Sequence, residues 1–417
     1  MDPVELIIAG AGDRGTVYAS YAKTHPKRAK VVGVAEPRDF HRERMVEEYN
    51  IPEENVFTDW KEMAKKKKFA DAVIIATQDH MHREPTIAFA KKGYHILLEK
   101  PMAPDEKSCR AIIKAVLSKD IIFALGHVLR YTRYTQKLKS ILESGLIGDV
   151  MSIQRLEPVG YWHQAHSFVR GNWRNEKESS FMLLSKSCHD LDWIRYIMGK
   201  KCTTVSSFGS LSHFRIENKP ENAGSNCLEC DYEPECPHSA KRFYLKLFEQ
   251  GKTGWPLRTI TTEMTKGGII HALRIGPYGR CVYECDNDVV DHQVVNMEFE
   301  GGETASFTMT GFTKARQRET RIFGTRGEIY GNGTKIQIHE FLSRKTEIID
   351  TSEDAPNVPS ALADHGGGDY ALIDTFVSAV AQSNPKLILS GPEETLETHL
   401  MTFAAEKSRK EGKIVKL

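Results

Sequence analysis

A chain of 417 residues is long for a single core, so two domains are expected. A formal net charge of +1 with 27% charged residues excludes nucleic acid or an anionic membrane surface as the main partner. No apolar run approaches the ~18 residues that a bilayer span needs. Met1-Asp2-Pro3 enters a strand with no room for a signal peptide, which predicts a soluble, cytoplasmic protein.

The first predicted strand is Val4-Glu5-Leu6-Ile7-Ile8-Ala9. Gly10-Ala11-Gly12-Asp13-Arg14-Gly15 follows, then a helical stretch from Thr16 to Lys23. Val31 to Ala35 is a second strand that delivers Glu36, 21 residues beyond Gly15. Strand, glycine triplet, helix, strand and terminal acid together form a dinucleotide-binding βαβ unit. Gly10 permits the tight turn, Gly12 lets the backbone approach a pyrophosphate, and Gly15 lets helix and strand pack. The helix N-terminus, with Asp13 and Arg14 in its first turn, supplies free N–H groups for the phosphates. Glu36 accepts hydrogen bonds from ribose hydroxyls and repels a 2′-phosphate, so NAD is favoured over NADP. Arg38 pulls the other way, since an arginine there can accommodate the phosphate.

Helices are expected from Phe40 to Tyr49, from Asp59 to Lys66, from Glu84 to Lys92 and from Asp105 to Lys119. Lys65 to Lys68 close the second of these as solvated, dipole-complementing charges. Strands are expected at Ala70–Thr77, His95–Leu98 and Ile121–Leu125. Ligands of open parallel sheets bind at the carboxyl ends of the strands. The loops at Gly10, Glu36, Thr77, Glu99 and Gly126 should therefore line one crevice.

Gly10-x-Gly12-x-x-Gly15, Ala76-Thr77-x-x-His80-x-His82, Glu99-Lys100-Pro101 and a later His189 resemble the glucose–fructose oxidoreductase, inositol dehydrogenase and MocA family. The resemblance covers essentially the whole chain, including the C-terminal Ala404-Ala405-Glu406-Lys407-Ser408 helix. It implies an α/β fold: a doubly wound Rossmann domain (residues 1–125), then an α+β domain (126–417) with a large, mainly antiparallel sheet. Substrate would lie between the two. It implies that Thr77, His80, His82 and Glu99 help to hold the cofactor, that Lys100 is catalytic, and that the Lys100–Pro101 peptide is often cis. An ammonium at that strand end can orient a sugar hydroxyl and stabilise developing alkoxide charge.

In the second half, Tyr134–Ser144 reads as an amphipathic helix and Val150–Leu156 as a sheet strand. His127 begins this half and is a substrate-side candidate. Residues 161–174 are dense in aromatics, histidines and arginines and read as a carbohydrate-binding loop, or as a loop anchored by its tryptophans. Trp162 and Trp173 could stack on sugar faces, while His163, His166, Arg170 and Arg174 supply polar contacts. Leu191, Ile194, Ile197 and Met198 then mark a helix with one buried face. By the resemblance, this helix carries an acid four residues before an acid/base histidine. His189 matches the histidine, whereas the acid's position holds Ser185. Serine can hydrogen-bond but cannot take a proton. Asp190 and Asp192 should point away from the face of His189, and Lys186 adds a second cation.

Cys227-x-x-Cys230, followed by Cys236, resembles a thiolate knuckle in an insertion around residues 220–245. A structural zinc is the expectation, with His238, Cys281 or Cys285 as fourth ligand. Cys281 and Cys285 look as if they share one face of a strand. Unligated cysteines and a catalytic zinc are the alternatives. The stretches 291–298, 303–311, 319–323, 327–330 and 335–338 read as successive antiparallel strands, with a hairpin turn at Gly301-Gly302. His365 and Asp369 flank a glycine triplet before a helix from Tyr370 to Ala381, and Glu393 to Glu411 is a closing helix across the domain junction.

Two activities fit. One is an NAD-dependent oxidoreductase acting on a secondary hydroxyl of a sugar, sugar derivative or cyclitol. The other is a redox-neutral, NAD-dependent glycosidase that works by transient C3 oxidation and elimination, with His163 and His166 as additional acid/base groups. The expected partners are a small carbohydrate or cyclitol and further copies of the chain, joined through the C-terminal sheet.

Overall fold

In the computed structural model, residues 2–352 and 362–417 are described. Val4–Ala9 forms β1, and its apolar run fits a strand covered on both faces. Ala29–Ala35, Val56–Phe57, Ala72–Ile75, His95–Leu98 and Phe123–Leu125 form β2 to β6. They make a six-stranded sheet in the order β3-β2-β1-β4-β5-β6, with every pair parallel. The order reverses beside β1, so the crevice opens at the carboxyl ends of β1 and β4. Helices Asp13–Thr24, Asp39–Tyr49, Arg83–Lys91 and Glu106–Leu117 return the chain between strands, within a few residues of expectation.

The second sheet has nine strands: β7 Val150–Pro158, β8 Cys202–Ser210, β9 His292–Phe299, β10 Thr304–Thr310, β11 Glu319–Gly324, β12 Gly327–Gly331, β13 Lys335–Glu340, β14 Thr346–Asp350 and β15 Val415–Lys416. Its order is β14-β13-β12-β11-β7-β10-β9-β8-β15. The expected run of successive antiparallel strands breaks at one place. β7 inserts between β10 and β11, running parallel to β10 and antiparallel to β11. The Gly301-Gly302 hairpin forms with φ of 103° and 91°, joining β9 to β10.

Two more expectations are corrected. Residues 161–170 are not a loop: Tyr161–His163 starts a helix that continues as a wide turn over Gln164–Arg170, with Gln164 to Arg170 all buried. Apolar Ala165, Phe168 and Val169 drive that burial. Cys281 and Cys285 lie on a turn rather than a strand, with the Cys285 Sγ 3.2 Å from the carbonyl of Cys281.

The end of the chain ties the sheets together. Helix Asp364–Ala381 packs Leu372, Ile373, Phe376 and Val377 into the same core as Leu6, Ile8 and Tyr18. Helix Pro392–Glu411 sets Met401, Ala404 and Ala405 in the core of the second sheet, while Leu396 and Phe403 pack on the first.

Candidate active site

The glycine loop is fixed by close backbone approach. Gly10 has φ of +93°, and a Cβ there would lie 2.6 Å from the carbonyl oxygen of Ala76. A Cβ on Gly15 would come within 2.0 Å of the oxygen of Gly10. Gly12 is different: only the Arg38 guanidinium lies within 4 Å of its missing Cβ, at 3.3 Å. The helix behind the loop starts without a side-chain cap. That leaves an open cradle of N–H groups suited to a pyrophosphate. Asp13 pairs with Arg258, so the segment after the insertion reaches the start of this helix.

Glu36 ends β2 and is buried. It accepts from the Ala11 N–H at 2.8 Å, the Arg38 N–H at 3.1 Å and the Arg38 Nε at 2.6 Å. Burial alone would raise its carboxyl, but the Arg38 hydrogen bonds reverse this and hold it below the usual range. Arg38 is 57% exposed at its side chain, so it can swing away to admit a ribose.

Arg14 turns inward. It donates to Asp369 at 2.5 Å and to Tyr18 at 2.7 Å, and lies 3.4 Å from Glu99. Tyr18 donates to Glu99 at 2.7 Å. His365 reaches the other oxygen of Asp369 at 2.9 Å. Asp369 is therefore a strut that holds Arg14, not a group open to ligand. His82 is fully buried, with one ring nitrogen 2.7 Å from the Pro101 carbonyl and the other 3.1 Å from that of Thr77. It braces two crevice loops and leaves no ring nitrogen for a cofactor. Exposed His80 stands at the mouth, and the Thr77 hydroxyl makes a long 3.4 Å contact to the Met81 carbonyl.

Lys100 follows β5, and its peptide bond to Pro101 is cis. The Nζ donates to the carbonyl of Ser185 at 2.6 Å, one turn before His189 on helix Met182–Met198. The sequence thus places the two catalytic candidates in one crevice. The Ser185 hydroxyl is turned back to Phe181 and Met182 at 3.4 Å.

His189 is buried, and a guanidinium the sequence reading missed holds it. Arg318, just ahead of β11, approaches its Nε2 at 2.7 Å. Guanidinium has no acceptor, so the lone pair sits on Nε2 and the proton on Nδ1. The Nδ1 is buried and has no hydrogen-bond partner among the described residues. Burial, then Arg318 and Lys100, push this imidazole well below its ordinary range, so it is neutral.

Arg318 is itself anchored, at 2.6 Å by Asp190 and at 2.9 Å by Glu157. Asp190 also receives Arg155 at 2.9 Å. Contrary to the helical-spacing argument, Asp190 therefore acts on His189, through Arg318 and from 3.6 Å away from the imidazole Nε2. Asp192 belongs to a separate cluster with Arg130 at 2.7 Å and His127 at 2.8 Å. His127, fully buried and stacked on His399, is spent in that cluster instead of meeting substrate.

The 161–174 segment divides. His163 is half-buried among the rings of Trp162, Phe168 and Trp255, and burial and then the nearby Lys186, His166 and Lys100 push it well down, so it is neutral. Trp162 stacks on Phe243 at 5.1 Å and packs beside Trp255. His166 is drawn into the insertion by Tyr244 at 2.5 Å, and Trp173 packs on the core. Arg170 donates to the carbonyls of Arg280 and His238 at 2.7 and 2.9 Å and lies 3.4 Å from the Cys227 sulfur. Arg174 pairs with Asp286 and Glu178. Arg170 thus serves the insertion, while Arg174 is held by Asp286 and Glu178 outside it.

Cys227, Cys230, Cys236 and Cys281 line one cavity of about 10 Å³. Cys281 arrives there because its N–H bonds the Ser225 carbonyl at 2.8 Å and Asn226 bridges to Arg280. Cys285 and His238 do not line it. Among the described residues, the one trio of donor atoms within 4.8 Å of each other is His127, Cys188 and His399. His399 accepts from the Met102 N–H at 2.9 Å, and its other nitrogen faces the Thr395 carbonyl at 2.7 Å, which leaves it no lone pair for a metal.

With this geometry in hand, known proteins supply the class. Residues 4–127 match an oxidoreductase family of NAD-binding Rossmann fold, and residues 139–417 match the C-terminal alpha/beta domain of that family. The chain belongs to the Gfo/Idh/MocA oxidoreductases. Among its relatives, putative oxidoreductase YteT of Bacillus subtilis is 22% identical over 86% of this chain and 84% of its own length. Myo-inositol 2-dehydrogenase of Thermotoga maritima is 27% identical over 49% of this chain and 58% of its own. 2,7-Anhydro-N-acetylneuraminate hydratase of Escherichia coli is 30% identical, over 35% of this chain and 38% of its own length. The same fold occurs in levoglucosan dehydrogenase in complex with NADH and L-sorbose, with a TM-score of 0.71 at 20% identity, covering 100% of this chain and 99% of that one. No helix among the described residues is long and apolar enough to cross a membrane.

Proposed function

We propose that the chain is an NAD-dependent oxidoreductase acting on a secondary hydroxyl of a sugar, sugar derivative or cyclitol. The contact of Lys100 with the Ser185 carbonyl at 2.6 Å carries this reading, because it sets the ammonium one helical turn from His189. Gly10, Gly12, Gly15 and the helix N-terminus would hold the pyrophosphate, and Glu36 the ribose, once Arg38 swings out. NAD, when bound, supplies the hydride acceptor. Lys100 orients the hydroxyl and stabilises charge on its oxygen. Neutral His189 can take the hydroxyl proton on Nε2 once Arg318 releases that lone pair. Calorimetric titration of NAD and NADP against wild type and Glu36→Ala tests the cofactor assignment. Tighter NAD binding that narrows in the variant is expected; equal affinities in wild type remove Glu36 from the role.

A second reading, redox-neutral glycoside cleavage, would use His163, half-buried against Trp255 with Lys186 and Lys100 nearby, as a further acid/base group. Relatives named as hydratases of an anhydro-sugar agree with it. Release of an aryl glycoside's aglycone without accumulation of NADH would select this reading.

Cys227, Cys230 and Cys236, with Cys281 as fourth ligand, are proposed to hold a structural zinc. Their shared cavity supports this, while their sulfurs must draw in from their present spacing to bind at ~2.3 Å. Elemental analysis should find about one zinc per chain, lost in Cys281→Ser and retained in Cys285→Ser. All eight cysteines are free thiols, in keeping with a reducing cytoplasm. The division at residues 125 and 126 and a homo-oligomer through the second sheet complete the proposal. Exposed Met151, Phe208 and Tyr330 on that sheet support the oligomer, and light scattering tests it.

A further inference from the structure

The patch around His189 holds four cations, Lys100, Arg155, Lys186 and Arg318, against two carboxylates, Glu157 and Asp190. Arg155 is spent on Asp190 and on the Thr320 hydroxyl at 3.1 Å. The other three have capacity left. Lys186 meets only an oxygen of Glu157, at 3.3 Å, and makes no hydrogen bond among the described residues. Arg318 binds the other oxygen of the same carboxylate through Nε, while its Nη1 has no partner among the described residues. Lys100 has a carbonyl, not a carboxylate, as its partner. The next acids along the crevice, Glu99 and Asp369, are held by Arg14. Partly buried positive charge left without a counter-charge is costly, and a ligand anion is what relieves it.

We infer that the substrate is a sugar acid, whose carboxylate is read by the Lys186 ammonium and the open Nη1 edge of Arg318 while its hydroxyl sits between Lys100 and His189. This rests on the oxidoreductase reading and narrows its substrate class. The two cations each meet a different oxygen of Glu157, a spacing that suits the two oxygens of a second carboxylate. The low position of the Lys186 ammonium, from burial and from neighbouring Arg318 and Lys100, agrees with a cation short of counter-charge.

The test compares paired compounds that differ only in the acid: D-glucuronate with D-glucose, D-galacturonate with D-galactose, and D-gluconate with D-sorbitol. NADH formation and calorimetric binding to the protein–NAD complex are both read. The acid of at least one pair should have a kcat/KM about 10²-fold or more above its neutral partner. Lys186→Met should shrink that ratio about tenfold or more, mainly through KM for the acid. Equal or better turnover of the neutral partners overturns the inference and leaves the oxidoreductase reading standing. Binding of an acid, but not its partner, without any NADH supports the inference and sinks simple oxidation. If no acid binds or turns over, or if Lys186→Met leaves the ratio intact, the carboxylate site is wrong.

Discussion

An imidazole that accepts from a guanidinium is held in one tautomer, and this sets what His189 can do. With Arg318 on Nε2, the ring donates from Nδ1 and stays neutral, because burial and then the cation beside it oppose a second proton. Replacing Arg318 with Met removes the nearest positive charge and frees the lone pair. The His189 limb of the pH–rate profile should then move to higher pH, with Arg318→Lys intermediate. An unmoved limb would show that Arg318 does not control the ring. None of this was legible in the sequence. Arg318 lies 129 residues from His189, and only the insertion of β7 beside β11 brings it there. Lys100 and His189 were legible, because their motifs sit at a strand end and on a helix whose spacing is local.

At the scale of elements, the βαβ unit could be read from the chain because each of its constraints is short-range. Gly15 shows how tight that constraint is: its Cβ position lies 2.0 Å from a backbone oxygen that cannot give way. Gly15→Ala should cost about 1–3 kcal/mol in chemical denaturation and weaken NAD binding as well. A variant as stable as wild type would mean that the loop can open. The stretch 161–170 misled because aromatics, histidines and arginines suit a sugar-binding loop. Yet Ala165, Phe168 and Val169 bury it as a helix, and His166 and Arg170 turn to the insertion. A periodicity this short carries little signal against such a composition. The turn at Cys281–Cys285 was misread in the same way, since a four-residue spacing fits a strand face and a turn equally well.

The whole molecule buries several histidines in neutral form. His166 and His399 are pushed down to about 3, chiefly by burial, with Arg170 acting on the first and His127 on the second. A lowered histidine binds its proton in the unfolded chain first, so its share of stability is intact above about pH 6.5 and is lost as pH falls toward 3. Each such ring can remove up to ~1.4 kcal/mol per pH unit in that window. Denaturant midpoints should therefore fall steadily below pH 6.5, and a flat profile down to pH 4.5 would contradict the burial of these rings. The joining of both sheets by helix Pro392–Glu411 makes that loss a property of the whole chain.

The central claim is that Lys100 works on a hydroxyl beside bound NAD. The most direct test is the turnover of Lys100→Met with the best substrate of the sugar and sugar-acid panel, at saturating NAD. A fall of ~10²–10⁴-fold in kcat with undiminished NAD affinity is predicted. A near-normal kcat would contradict the account, because the one ammonium that the Rossmann strand end delivers to His189 would then be a bystander.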